Sequence, residues 1–233
     1  MDLVTRLLLF DIDGTLVLTG GAGGRAMRRA FQDIFGISNG LRSISMAGRT
    51  DAWIVSQMFA EHGLDEQHPE RQRFHDLYFD YLATEVPQPH PEKRVLPGVQ
   101  TLLDSLADRN DVYVALLTGN FRRGAEIKLE HFDLWRYFGA GAYGDHTRDR
   151  NDLLRTALAN VEAAGGPRVQ PSETLVIGDT PLDVAVAVAG GARSLGVATG
   201  SYDVDTLLRS GAGAALADLS ELGAVLRAVK LEG

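Results

Sequence analysis

The chain contains no cysteine. Disulfides, thiolate nucleophiles and cysteine-ligated zinc are therefore excluded. A long apolar run is missing too: the longest, residues 184–192, falls far short of the roughly 20 residues a membrane-spanning helix requires. Positive charge is the minority, with 23 Lys and Arg against 31 Asp and Glu and a formal net charge of −8. A nucleic-acid surface needs a basic stripe that this balance does not supply, and an anionic ligand must find local positive charge against the global field. The six histidines (62, 68, 75, 90, 131 and 146) show no HExxH or other ligand spacing and read as surface or local structural residues. Residues 7–10 are too short for the apolar core of a secretory leader and end in an acid. These features predict a cytoplasmic protein with neither a nucleic-acid nor a membrane partner. Monomer and homodimer both remain compatible with them.

What the chain does have is alternation. Short apolar runs bounded by Gly or Asp recur at 7–10, 112–117, 140–143, 174–177, 194–198 and 213–216. Helical spacing fills the intervals at 99–107, 122–131, 152–163, 181–189 and 204–209, and again at 222–229. This order predicts an α/β fold, a doubly wound parallel sheet of Rossmann-like type covered on both faces. Within 184–189 every residue is apolar, so a strand is also compatible there. Residues 17–94 break the pattern with three helical segments, 25–35, 51–62 and 70–84, and no convincing strand. Thr50 is the expected N-cap of the second. Residues 17–94 therefore read as an all-helical domain inserted after the first strand into a core of residues 1–16 and 95–233. The Pro-rich "VPQPHPEKRVLPG" forms its exit, and "GGAGG" at 20–24 reads as a mobile lead-in rather than a phosphate cradle.

Three strand ends carry polar chemistry. In "LLLFDIDGTLV" the first apolar strand stops at Asp11 and Asp13, two residues apart and facing the same way. Such close charges raise each other's pKa unless a cation neutralises them, and hard carboxylate oxygens suit Mg²⁺. An Asx turn would use the same residues. The second strand runs into "LLTGN", where the Thr118 hydroxyl, the Gly119 backbone and the Asn120 amide suit a phosphoryl oxygen or an ordinary turn. A later strand runs into "VIGDTPLD", where Asp179 and Asp183 are four apart; Asp183 also suits the charge of a helix N-terminus. In an open parallel sheet these three ends converge on one site.

With these residues in place, the sequence resembles the haloacid dehalogenase superfamily. Residues 11–15 (DIDGT), 118–120 (TGN) and 178–183 (GDTPLD) match its first, second and fourth motifs, and the helical insertion resembles its small cap. Phosphoglycolate phosphatase-like and β-phosphoglucomutase-like members look most similar. The resemblance implies Asp11 as the nucleophile forming an aspartyl-phosphate, and Asp13 as general acid and then base. It also implies Mg²⁺ held by Asp11, Asp179 and the Asp13 backbone carbonyl, with Asp183 a ligand or a support to one. Thr118, Gly119 and Asn120 would bind the phosphoryl group.

The family's third motif, usually a lysine, is replaced by "DHTRDRNDLL", so Arg150, or else Arg148, would supply its charge. Gly48 and Arg49 of "MAGRTDAW", at the start of a cap helix, suit either a substrate anion or an ordinary helix-entry turn, whereas Arg25, Arg28 and Arg29 read as a solvated helix face. Asp13 argues against dehalogenation, because a halide needs no acid to leave. The expectation is a Mg²⁺-dependent phosphatase acting on a small phosphorylated metabolite, phosphoglycolate or a sugar phosphate. A phosphomutase and a catalytically silent binding protein are the alternatives.

Overall fold

A computed structural model describes residues 6–145 and 147–230. The first elements are β1 (Arg6–Phe10), β2 (Val17–Leu18), α1 (Ala22–Phe35), α2 (Asp51–Glu61), α3 (Arg71–Glu85), β3 (Arg94–Val95), α4 (Val99–Ala107) and β4 (Val112–Leu117). There follow α5 (Arg122–His131), β5 (Gly141–Ala142), α6 (Leu153–Ala163), β6 (Thr174–Gly178), α7 (Pro181–Gly190), β7 (Arg193–Val197), α8 (Val204–Arg209), β8 (Ala214–Leu216) and α9 (Leu222–Val229). Six strands form one sheet in the order β5-β4-β1-β6-β7-β8, every pair parallel. The chain builds outward from β1 to one side and then crosses to the other, so β1 lies at the switch between β4 and β6. Leu9 is in register with Ala115 on one side and Val176 on the other.

The continuous apolar run of β1 is explained by burial on both faces. Leu8 and Phe10 point into a core shared with Leu102 and Leu106 of α4, Leu129 of α5 and Val225 of α9. Leu7 and Leu9 point into the opposite core with Leu154 and Val161 of α6 and Val186 of α7. Residues 184–189 are helical, as part of α7, whose Pro181 stands at the first turn. No helix among the described residues is long and apolar enough to cross a membrane.

Between β2 and β3, helices α1, α2 and α3 surround their own apolar cluster, centred on Phe31, Phe59 and Phe74. That cluster also takes in Phe121 and Ile127 from the sheet-bearing part of the chain, so the insert is packed onto α5. His62, His68 and His75 lie against its phenylalanine rings, while His146 lies outside the described residues.

Two features differ from the sequence reading. The insert is bounded by a short antiparallel ladder, Val17 opposite Val95 and Leu18 opposite Arg94. Strands of two residues are too short to show any periodicity. The "GGAGG" stretch is not a loose lead-in: Gly20 and Gly21 take left-handed conformations that start α1, and Ala22, Gly23 and Gly24 already belong to the helix. Buried Ala22 and Ala26 anchor that first turn.

Phe31 is fully buried, with ring centroids 4.9 Å from Phe35, 5.8 Å from Phe74 and 5.9 Å from Phe59. Phe31→Ala should cost about 3–5 kcal/mol, read as a lowered midpoint in denaturant unfolding. A loss under about 1 kcal/mol would mean that the insert does not share in the cooperative fold.

Candidate active site

The three polar strand ends meet. Asp11 follows β1, Thr118 follows β4 and Asp179 follows β6. The backbone continues the sheet for one more step, with Asp11 N donating to the Ile177 carbonyl (2.9 Å) and Thr118 N to Ala142 (3.0 Å). Asp11, Asp179 and Asp183 each bring a carboxylate oxygen to within 4.8 Å of the others, and all three are buried. Backbone closes over Asp179 at Gly14 (φ +82°) and Gly200: a Cβ would stand 2.4 Å from its Oδ2 at the first and 1.8 Å at the second. A side chain at either position would have to displace the Asp179 carboxylate.

Such a cluster requires compensation. Burial pushes Asp179 up to about 8, with Asp183 and Asp11 adding to the rise. Burial likewise pushes Asp11 up to about 6, against the pull of Arg150. Arg150 is itself buried; desolvation opposes its charge, but Asp183 and Asp11 outweigh that and keep it protonated. Its Nη2 pairs with Asp183 and lies 3.3 Å from Asp11 Oδ1, its Nη1 donates to the Gly48 carbonyl (2.9 Å), and its Nε has no protein partner. Arg148, by contrast, is half exposed and pairs with Glu66, away from the cluster.

The oxygens of Asp183 are already used. Oδ1 takes Arg150, and Oδ2 accepts from the Thr180 backbone N (3.0 Å) and hydroxyl (2.7 Å) in a capping box at the start of α7. Asp11 and Asp179 are less committed: Asp179 Oδ1 receives only a long bond from the Thr15 hydroxyl (3.4 Å). One or two carboxylates with room for water is the donor set that Mg²⁺ takes, and a cation would relieve the mutual repulsion that raises both pKa values. Asp11 and Asp179 therefore fit a hard divalent cation, with Asp183 anchoring Arg150 beside them.

Asp13 does not join the cluster through its side chain. Its Oδ2 accepts from Asn120 Nδ2 (2.8 Å) and from Lys128 Nζ (2.6 Å). Lys128 also donates to Asn120 Oδ1 (2.6 Å), and Asn120 Nδ2 donates to the buried Thr118 hydroxyl (2.8 Å). The sequence reading missed Lys128. The available signal was a lysine three residues after Ala125 and next to Leu129, on the buried stripe of α5.

The helical insert reaches this site through backbone contacts. Asp51 N donates to the Gly119 carbonyl (2.7 Å) and Ala52 N to Gly144 (3.3 Å). Thr50 is the N-cap of α2, accepting from Trp53 N (3.1 Å). Gly119 is required where it stands, because a Cβ would lie 2.1 Å from the Arg49 carbonyl oxygen. Gly48 (φ +69°) sits against the Thr180 hydroxyl, and the Arg49 guanidinium stacks 4.5 Å over Trp53. Between insert and sheet lies a cavity of about 820 Å³. Asp11, Asp13, Asp179, Asn120 and Arg150 line it on the sheet side, and Gly48 and Arg49 line it from the insert. Arg25 and Arg28, read from the sequence as a solvated face, line it as well; Arg25 is held by Glu85 (2.8 Å).

Asp51 is the buried joint of this contact. Its carboxylate accepts from Phe121 N (2.9 Å), and burial pushes it up to about 6 despite the nearby Lys128. Asp51→Ala should cost about 1–3 kcal/mol by leaving that buried N–H unpaired, and Asp51→Asn less, because the amide oxygen still accepts. The folded pKa lies above the ordinary 3.8, so this group's contribution is present at low pH and declines as pH rises through about 6. Asp51→Asn should therefore flatten that part of the stability–pH curve, measured by thermal unfolding between acid and neutral pH.

Residues 8–197 match the model of the haloacid dehalogenase-like hydrolase family. The chain is 30% identical over 200 residues to phosphoglycolate phosphatase 1 of Pseudomonas aeruginosa, covering 81% of this chain and 67% of that one. It is 27% identical over 221 residues to the phosphoglycolate phosphatase of Rhodospirillum rubrum, covering 94% and 89%. Among solved structures, CbbY from Rhodobacter sphaeroides in complex with phosphate superposes with a TM-score of 0.69 at 19% identity, over 94% of this chain and 96% of that one. With the DIDGT, TGN and GDTPLD strand ends gathered at one cavity, the chain belongs to the haloacid dehalogenase-like hydrolases.

Proposed function

We propose that the protein is a Mg²⁺-dependent phosphatase of small phosphomonoesters that works through an aspartyl-phosphate on Asp11. The observation that carries this reading is the meeting of Asp11, Asp13, Asp179 and Arg150 at one cavity. On this reading residues 17–94 form a cap over the core, and the enzyme acts in the cytoplasm.

The Asp11 carboxylate attacks phosphorus, and Arg150 beside it keeps it ionised. Asp13, on the same loop but outside the carboxylate cluster, protonates the leaving oxygen and later takes a proton from the water that hydrolyses the acyl phosphate. The backbone N–H of Gly119 binds a phosphoryl oxygen, and Asn120, both of whose amide hydrogens go to Asp13 and Thr118, shapes that wall of the site. Asp11, Asp179 and the Asp13 backbone carbonyl would hold Mg²⁺, which when bound offsets the repulsion between carboxylate and phosphate. The cap excludes bulk water and faces the leaving group with Gly48, Arg49, Arg25 and Arg28. Their positive charge suits an anionic leaving group, which favours phosphoglycolate; the two curated relatives named above carry that name.

Phosphate release from a panel of phosphomonoesters tests the reading. Release should need Mg²⁺, stop on chelation, return on adding the metal back, and fall to background in Asp11→Asn with the fold intact. Full activity in Asp11→Asn would overturn the mechanism, and an isomerised sugar phosphate without free phosphate would replace the hydrolase by a mutase.

A further inference from the structure

Lys128 has no role in the chemistry described so far, yet it is almost completely buried, 5% exposed, on a helix that otherwise packs an apolar face. A buried ammonium is costly unless it is paired and hydrogen-bonded. Here two of its three donors close a ring: Nζ to Asp13 Oδ2 (2.6 Å), Nζ to Asn120 Oδ1 (2.6 Å), and Asn120 Nδ2 to Asp13 Oδ2 (2.8 Å). The ring has two geometric consequences. An ammonium can only donate, so Lys128 fixes which end of the Asn120 amide faces it and turns the Nδ2 end toward Asp13 and Thr118. Asp13 Oδ2 is held twice, while Oδ1 takes part in none of these bonds and the side chain is 44% exposed at the cavity.

We propose that Lys128 is the positioning residue for Asp13. It locks the carboxyl through Oδ2, so that Oδ1 alone is presented to the leaving group. This inference rests on the phosphatase reading above. In the step it serves, the Asp11 oxygen–phosphorus bond forms as the ester oxygen–phosphorus bond breaks. The departing oxygen keeps the bonding pair and takes the proton from Asp13 Oδ1. Without Lys128 the carboxyl swings on Asn120 alone, and proton delivery is lost while phosphorus remains open to Asp11.

The test compares leaving groups that need the proton with one that does not. The general-acid contribution spans roughly 10²–10⁴-fold, so Lys128→Met should lower kcat/KM for phosphoglycolate by about 100-fold. For para-nitrophenyl phosphate, whose phenolate leaves without protonation, the loss should stay under about 5-fold. The KM for phosphoglycolate should barely move; a lysine that instead bound the substrate carboxylate would raise it. Equal losses on both esters, or a loss confined to KM, would overturn the inference while leaving the phosphatase reading intact. A wild type that releases phosphate from neither ester would overturn both. Lys128→Arg keeps the charge but changes the donor geometry. It should show the same preference for loss on the alkyl ester to a smaller degree, and it decides the matter should the methionine variant not fold.

Discussion

Everything at this site follows from placing carboxylates where water cannot screen them. Asp11, Asp179 and Asp183 are buried within one small volume at the end of the central strand. Left alone, that arrangement would take up protons, and the raised pKa values of Asp11 and Asp179 express the tendency. The chain answers with one buried arginine. Arg150 is anchored by Asp183, reaches Asp11, and spends another donor on the insert's Gly48 carbonyl. A single guanidinium thus ties the charge balance of the core to the seating of the helices above it. A lysine could not reach all three partners with one fixed fork.

The difference between the two acids of DIDGT is likewise a matter of surroundings. They are two residues apart, yet Asp11 is folded into the carboxylate cluster, whereas the Asp13 side chain turns toward Asn120 and Lys128 at the cavity. Gly14, in the left-handed region, turns the chain immediately after them. Identical side chains thereby acquire different environments, as the proposed nucleophile and proton donor would require.

Much of this was legible in the sequence, and the parts that were not have a common cause. Local signals sufficed for the strand-end acids, the Thr50 cap, and α4, α5, α8 and α9 to the residue, while the family resemblance singled out Arg150, which stands beside Asp11. What escaped depends on partners distant in sequence. Lys128 meets Asp13 across 115 positions, and Asp51 meets Phe121 across 70. Only its place on the buried stripe of α5 sets Lys128 apart locally, and nothing local distinguishes Asp51 from an ordinary helix-start acid. The glycines of "GGAGG" were misread for a related reason: glycine suggests a loop locally, and only burial of Ala22 and Ala26 shows why the helix starts there. Arg25 and Arg28 look like a polar helix face, and only the sheet opposite makes that face the wall of a cavity.

The small ladder of β2 and β3 has a mechanical consequence. The chain passes between sheet and insert twice, and the two passages lie side by side, with Leu96 N bonded to the Leu16 carbonyl (3.0 Å) directly below the paired residues. A single strand of backbone would act as a swivel, free to rotate as well as bend. Two crossings riveted together form a strap instead. The pairing couples the two passages, so any movement of the insert must carry both of them together.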